Sequence, residues 1–191
     1  MPVSFINLVE KYLKHVAYCF VMVVIIVSGT PGTGKTVVAK AIAKALNYGY
    51  VDVKRLIRKW KLSECYDSKR KCLVVDEKKL SKKLEELIKN SKEDLVIDSH
   101  LSHFVNPKFV DVCIITKTDL KILEKRLKSR KYSKQKIRDN LDSEIFDVCF
   151  EEAKSLGHKI IVISTTKRLN IRALLSGLDS YGIRFSGNRI K

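Results

Sequence analysis

Glycine and proline are scarce, at 8 and 3 of 191 residues, which excludes collagen-like repeats, Pro-rich linkers and low-complexity disorder. No hydrophobic run is long enough to cross a bilayer: the longest, residues 16–27, falls well short of the ~20 residues that a spanning helix needs. That run lacks the small-residue cleavage site of a signal peptide and passes straight into a Gly-rich loop, so neither membrane insertion nor secretion is expected. The five cysteines, Cys19, Cys65, Cys72, Cys113 and Cys149, are odd in number and never spaced CxxC. A disulfide framework and a zinc ribbon are therefore not indicated, and a reducing, cytoplasmic location is expected. Acidic residues are also short: 21 Asp and Glu face 38 Lys and Arg, a formal net charge of +17. Such a surface attracts phosphate-rich partners such as nucleotides, RNA or a ribonucleoprotein, without choosing among them.

What is present suffices for one compact domain, with 45% hydrophobic and 31% charged residues. Residues 21–28 are rich in β-branched side chains and end in Gly29, the pattern of a buried, central parallel strand. A helix over 36–46 follows, then a short strand over 50–53. The spacing of Leu80, Leu84, Leu87 and Ile88 predicts a helix over 77–90, and 95–98 reads as a third strand ending in a carboxylate. Further strands are expected at 110–116 and 159–164. Between them, Thr118 or Asp119 caps one helix, and Ser133 opens a longer one running to about Gly157. Alternating strands and helices predict a three-layer α/β fold with a five-stranded parallel sheet, its functional groups at the carboxyl ends of the strands. Met22 can itself begin the first strand, so residues 1–21 are read either as an N-terminal extension or as the product of a misplaced start codon. Within it, Phe5, Leu8, Val9, Tyr12 and Leu13 lie on one face of a short helix over residues 4–15.

The strongest motif is Gly29-Thr30-Pro31-Gly32-Thr33-Gly34-Lys35-Thr36, a full match to G-x-x-x-x-G-K-[ST] between a strand and a helix. In such a loop the backbone N–H groups and helix N-terminus face a phosphate, Lys35 bridges the β- and γ-phosphates, and the Thr36 hydroxyl ligates Mg²⁺. Asp98, at the end of the third strand, is the candidate second magnesium group. His100 and His103 form an HxxH in a loop with no further ligands evident in the sequence. They are not read as a metal site, and His100 is kept as a water or phosphate contact. Arg126 and Arg130, at i and i+4, can bring two guanidinium groups to a transferring phosphoryl group from a mobile flap. Lys54, Arg55, Arg58, Lys59 and Lys61 form a basic cluster suited to an acceptor phosphate, with Arg58 the candidate contact, or equally to RNA.

On four stretches the chain resembles the adenylate kinase isoenzyme 6 family, small P-loop NTPases similar to nucleoside monophosphate kinases. They are GTPGTGKT at 29–36, DSH at 98–100, RLKSRKYSKQKIRDN at 126–140 and EIFDVCFEEA at 144–153. The resemblance runs from about residue 22 to 178. It implies a P-loop NTPase fold with a short lid at 129–139 and an acceptor region at 52–75. It also implies Mg²⁺-ATP and AMP as reactants, weak ATPase activity, and a role in small ribosomal subunit maturation through ribosomal protein S11 and rRNA. Carried over residue by residue, the ATP contacts fall on Gly29, Gly32, Thr33, Gly34, Lys35, Thr36, Val37 and Arg130, with Lys167 near the adenine. Lys35, Asp98, His100, Arg126 and Arg130 would be the catalytic set, and Thr36 and Asp98 the magnesium ligands. This sequence departs from the family pattern in having Lys54-Arg55 in place of Gly-Asp, Lys131 in place of a lid glycine, and Val37 in place of a second Thr. The basic tail, 181–191, lies outside the resemblance. A ribosome-assembly ATPase with incidental kinase activity, or a kinase for another small metabolite, are the alternatives.

Overall fold

A computed structural model of the chain describes residues 22–67 and 72–183. The expected helix at 4–15, the extension to residue 21 and the tail from 184 onward lie outside the described residues. Five parallel strands form one sheet in the order β2 (Gly49–Asp52), β5 (Leu95–Asp98), β1 (Val24–Ser28), β6 (Val112–Lys117), β7 (Ile160–Ser164). The run around Ile25 is central, and every residue of β1, Ser28 included, is buried.

Alternation along β1 divides the core in two. Val24 and Ile26 point to one face, where they meet Leu80, Leu84 and Ile88 of α3 (Glu77–Asn90), Val53 and Ile57 of α2 (Val53–Lys59) and Ala153 of α6 (Val148–Ser155). Ile25 and Val27 point to the other, against Val38 and Ile42 of α1 (Lys35–Leu46) and Leu174, Leu175 and Leu178 of α7 (Ile171–Asp179). Each such aliphatic side chain contributes about 1.5–3 kcal/mol by leaving water. A third cluster, Leu123, Leu127 and Ile137, joins α4 (Leu120–Ser129) to α5 (Lys134–Ile145).

Caps agree with the sequence. Asp119 accepts hydrogen bonds from the N–H groups of Lys121 and Ile122 at the start of α4, and Ser133 accepts from that of Lys136 at the start of α5. The expected single helix from Ser133 to Gly157 is corrected: it breaks at Phe146 and Asp147, and the latter takes the left-handed conformation at φ 53°. The break is held from β6, because Lys117 Nζ pairs with Asp147 Oδ1 at 2.6 Å and Glu144 Oε1 accepts the Thr118 N–H at 3.0 Å. Helical spacing cannot foresee it, since apolar residues continue in phase through the bend. An antiparallel hairpin of β3 (Ser63–Asp67) and β4 (Cys72–Val75), together with α2 and α7, adds to the elements that the sequence predicts.

Candidate active site

The register β1–β5–β2 places Val27, Asp98 and Asp52 level with one another at the carboxyl end of the sheet. There the chain leaves β1 through the glycine-rich loop and enters α1. Gly29 adopts φ +133° and Gly32 φ +103°; a Cβ on Gly29 would stand 2.5 Å from the Thr116 carbonyl oxygen, and one on Gly32 2.7 Å from Leu123 Cδ1. These positions need glycine because β6 and α4 press directly on the loop. The Thr33 side chain is turned inward, donating to the Thr30 carbonyl at 2.8 Å and meeting Thr116 Oγ1 at 2.7 Å, so only its backbone remains as a ligand contact.

Lys35 Nζ donates to the carbonyl oxygens of Gly29 at 2.7 Å and Thr30 at 2.9 Å, folding the ammonium over its own loop. Burial pushes its pKa from 10.5 down to about 8; Arg130 adds to the push, while Cys149, Asp98 and Glu144 oppose it. Lys35, Asp98 and Arg130 therefore share one electrostatic neighbourhood, as the sequence motifs require. Because the folded value lies below the unfolded one, confining the Lys35 charge costs stability below pH about 8, a cost that fades as pH rises from there to 10.5.

Tyr50 was not foreseen. Its hydroxyl donates to Asp98 Oδ2 at 2.9 Å and lies near Thr36, next to both candidate magnesium ligands. Burial, and then the Asp98 carboxylate, raise its pKa well above the usual phenol value. The signal was present in strand parity: Tyr50 pairs with Val96 and Asp52 with Asp98, so all four side chains share the face on which α1 begins. It could be read only once the register was known.

Other expected residues are placed as follows. His100 opens to the cleft beside Asp98, where protein crowding, then Lys35, Lys136 and Lys54, push its pKa to about 4. Its ring is neutral near pH 7. Arg130 is exposed at the end of α4, followed by Lys131 at φ 57°, a left-handed position that explains why a glycine suits it elsewhere. Thr36 and Val37 are exposed at the start of α1, and Lys167 is exposed in the loop after β7. Arg58 is exposed on α2, and among the described residues no bond ties it to Lys35, Asp98 or Arg130.

Arg126 is placed differently from an open flap arm. As a flap arm it should reach toward an open cleft. Instead its guanidinium donates to the Gly32 carbonyl at 3.3 Å, to Thr165 Oγ1 at 3.2 Å and to the Thr165 carbonyl at 2.8 Å. The Thr165 hydroxyl in turn donates to the Thr33 carbonyl. The arginine thus clamps the phosphate loop to the chain leaving β7, because those carbonyls lie within its reach and need donors.

A model of the AAA domain family matches residues 25–147. The adenylate kinase isoenzyme 6 homolog of Dictyostelium discoideum is 34% identical over 139 residues, 73% of this chain and 78% of that protein. The homolog of the same name from Schizosaccharomyces pombe is 36% identical over 139 residues, covering 72% and 78% respectively. The chain belongs to the adenylate kinase isoenzyme 6 family. Among solved structures, shikimate kinase from Acinetobacter baumannii in complex with shikimate is similar, with a TM-score of 0.55 and 18% identity over 89% of this chain and 96% of that one. A gluconokinase from Sinorhizobium meliloti has a TM-score of 0.55 at 19% identity, covering 83% and 92%. These distant likenesses concern the fold alone, and it is the P-loop kinase fold expected of an adenylate kinase isoenzyme 6 relative.

Proposed function

We propose that this member of the adenylate kinase isoenzyme 6 family transfers the γ-phosphoryl group of Mg²⁺-ATP to AMP. The observation that carries the reading is the convergence of Lys35, Thr36, Asp98 and Tyr50 at the mouth of the glycine-rich loop. An incoming triphosphate supplies the oxygens that Lys35 now finds on Gly29 and Thr30. The lysine then follows the charge as it spreads over the transferring group, with Arg130 approaching from the end of α4. Thr36 and Asp98 offer hard oxygen donors, which suit magnesium. An ion held there by Thr36 and Asp98 would offset the negative charge of the phosphates. The acceptor is itself a phosphate anion, so no general base is needed, and Arg58 on α2 is the candidate group for holding it. By fixing Gly32 to the β7 side of the loop, Arg126 keeps the cradle in shape rather than touching the phosphate.

The test is ADP formation from ATP with and without AMP. AMP-dependent ADP formation far above the rate without AMP is expected, and no such dependence overturns the reading. A second reading, an ATPase docked on small-subunit rRNA and ribosomal protein S11, is favoured by the +17 charge and by exposed Lys54, Arg55, Arg58 and Lys59 along α2. ATP hydrolysis stimulated by RNA or that protein, with negligible AMP phosphorylation, would put it first.

Two consequences can be measured separately. With Lys35 at pKa about 8, a bound triphosphate raises that value, so binding near pH 8 takes up protons and affinity falls as pH rises through this range. Calorimetry in two buffers of different ionisation enthalpy reads the uptake directly; identical heats would contradict it. Replacing Tyr50 with Phe removes the hydroxyl next to Thr36 and Asp98. The Mg²⁺-dependent gain in ATP affinity should fall about tenfold, with affinity for metal-free ATP unchanged. Equal losses with and without magnesium would assign Tyr50 to general packing.

A further inference from the structure

Three donor groups unused by the proposed chemistry meet behind the phosphate loop. His103, in the 3₁₀ turn after β5, is 1% exposed, and its Nε2 stands 3.0 Å from Glu152 Oε2. Cys149 and Glu152 are three residues apart on α6 and so lie on one face of that helix. The imidazole nitrogen, the thiol sulfur and a carboxylate oxygen all lie within 4.8 Å of one another. We propose that His103, Cys149 and Glu152 form a binding site for a transition-metal cation of the zinc class.

The chemistry of the donors carries the choice of ion. A nitrogen, a sulfur and an oxygen ligand suit a borderline-soft cation such as zinc or cobalt, whereas magnesium and calcium take oxygen. The His103 and Glu152 donors, 3.0 Å apart, already sit close to the separation of a tetrahedral site, and the thiol sulfur reaches it by a shift of about 1 Å; water supplies the fourth position. The outer contacts are those that metal-binding histidines have. His103 Nδ1 is held by Ser28 Oγ at 2.7 Å, and its carbonyl accepts from His158 Nε2 at 2.7 Å, which fixes the ring with Nε2 toward the other two donors. The Glu152 side chain is 42% exposed, so the site opens to solvent on that side. Binding releases the Cys149 thiol proton to water, shifts the proton of the neutral His103 ring from Nε2 to Nδ1, where it is donated to Ser28 Oγ, and replaces the His103–Glu152 hydrogen bond with two metal–ligand bonds.

The sequence shows only the HxxH spacing of His100 and His103, which by itself does not point to a metal site. His100 faces the nucleotide cleft; His103 points the other way, and its partners come from a helix 46 and 49 positions further along. The location gives the ion a consequence. Ser28, which orients His103, and Gly29, which lines one small cavity with Cys149, are the two residues leading into the phosphate loop. A bound cation braces the base of the loop without occupying the phosphate site.

Cobalt(II) serves as the probe, titrated into the full-length, EDTA-treated protein with excess Mg²⁺ present. One equivalent should bind with a thiolate-to-cobalt charge-transfer band. Cys149→Ala should abolish that band, and Glu152→Gln should weaken cobalt binding at least tenfold. Circular dichroism and Mg²⁺-ATP binding check that both variants are folded. Glu152 lies at the surface, so its variant preserves the test if Cys149→Ala does not fold. No charge-transfer band in the wild type, a band that survives in folded Cys149→Ala, or unchanged affinity in Glu152→Gln would overturn the proposal. None of these outcomes depends on whether AMP is the phosphoryl acceptor.

Discussion

Lys35→Ala should lower phosphoryl transfer by about a thousandfold while leaving the protein folded. The size follows from the role: charge-stabilising groups aimed at a developing anion contribute on the order of 10² to 10⁵ in rate, and Lys35 is the ammonium nearest the loop mouth. That the fold survives follows from what the lysine does without nucleotide. It donates to two carbonyl oxygens of its own loop, Gly29 and Thr30, at 2.7 and 2.9 Å, and makes no contribution to either hydrophobic cluster. Water can take over those two carbonyls once the side chain is gone, so the midpoint of urea unfolding should move little. A coupled ADP assay beside the unfolding curve separates the two effects. Turnover within tenfold of wild type would contradict the assigned role, and loss of the folded state would show that the lysine holds the loop together.

Gly29→Ala should act through structure instead. The new Cβ would lie 2.5 Å from the Thr116 carbonyl oxygen and 2.8 Å from Thr116 Oγ1, at a φ of +133° that L-residues rarely adopt. Thr116 is part of β6, paired on one side with β7 and adjoining β1 on the other, so its backbone cannot yield. Backbone strain and overpacking each cost about 1–3 kcal/mol. The expected result is a loss of several kcal/mol in unfolding free energy, seen as a lower urea midpoint at unchanged slope, together with loss of ATP binding. Wild-type stability combined with wild-type ATP affinity would show that the loop has another conformation available.

The two variants differ in how legible their sites were. The P-loop could be read because all its information is local: eight consecutive residues, a β-branched run before them and an Ala- and Val-rich helix after. The same holds for Asp98, which ends a four-residue apolar strand, and for the caps Asp119 and Ser133. Local spacing failed where long-range contact decides. Arg126 looks like a mobile arm from its place four residues before Arg130, yet Gly32 and Thr165, distant in sequence, capture its guanidinium. The bend at Asp147 is equally invisible along the chain, because the ion pair with Lys117 that holds it comes from a neighbouring strand.

The sequence by itself determined that a parallel α/β sheet would present a glycine-rich anion cradle with Lys35, Thr36 and Asp98 at its rim. Period and motif are properties of neighbours, and neighbours stay neighbours in any fold. Only the tertiary structure decided that Tyr50 would bond Asp98, that Arg126 would brace the loop, and that His103, Cys149 and Glu152 would meet behind it. Each of those juxtapositions depends on strand register and on the angle at which a helix returns to the sheet, and both are set by packing across the whole core.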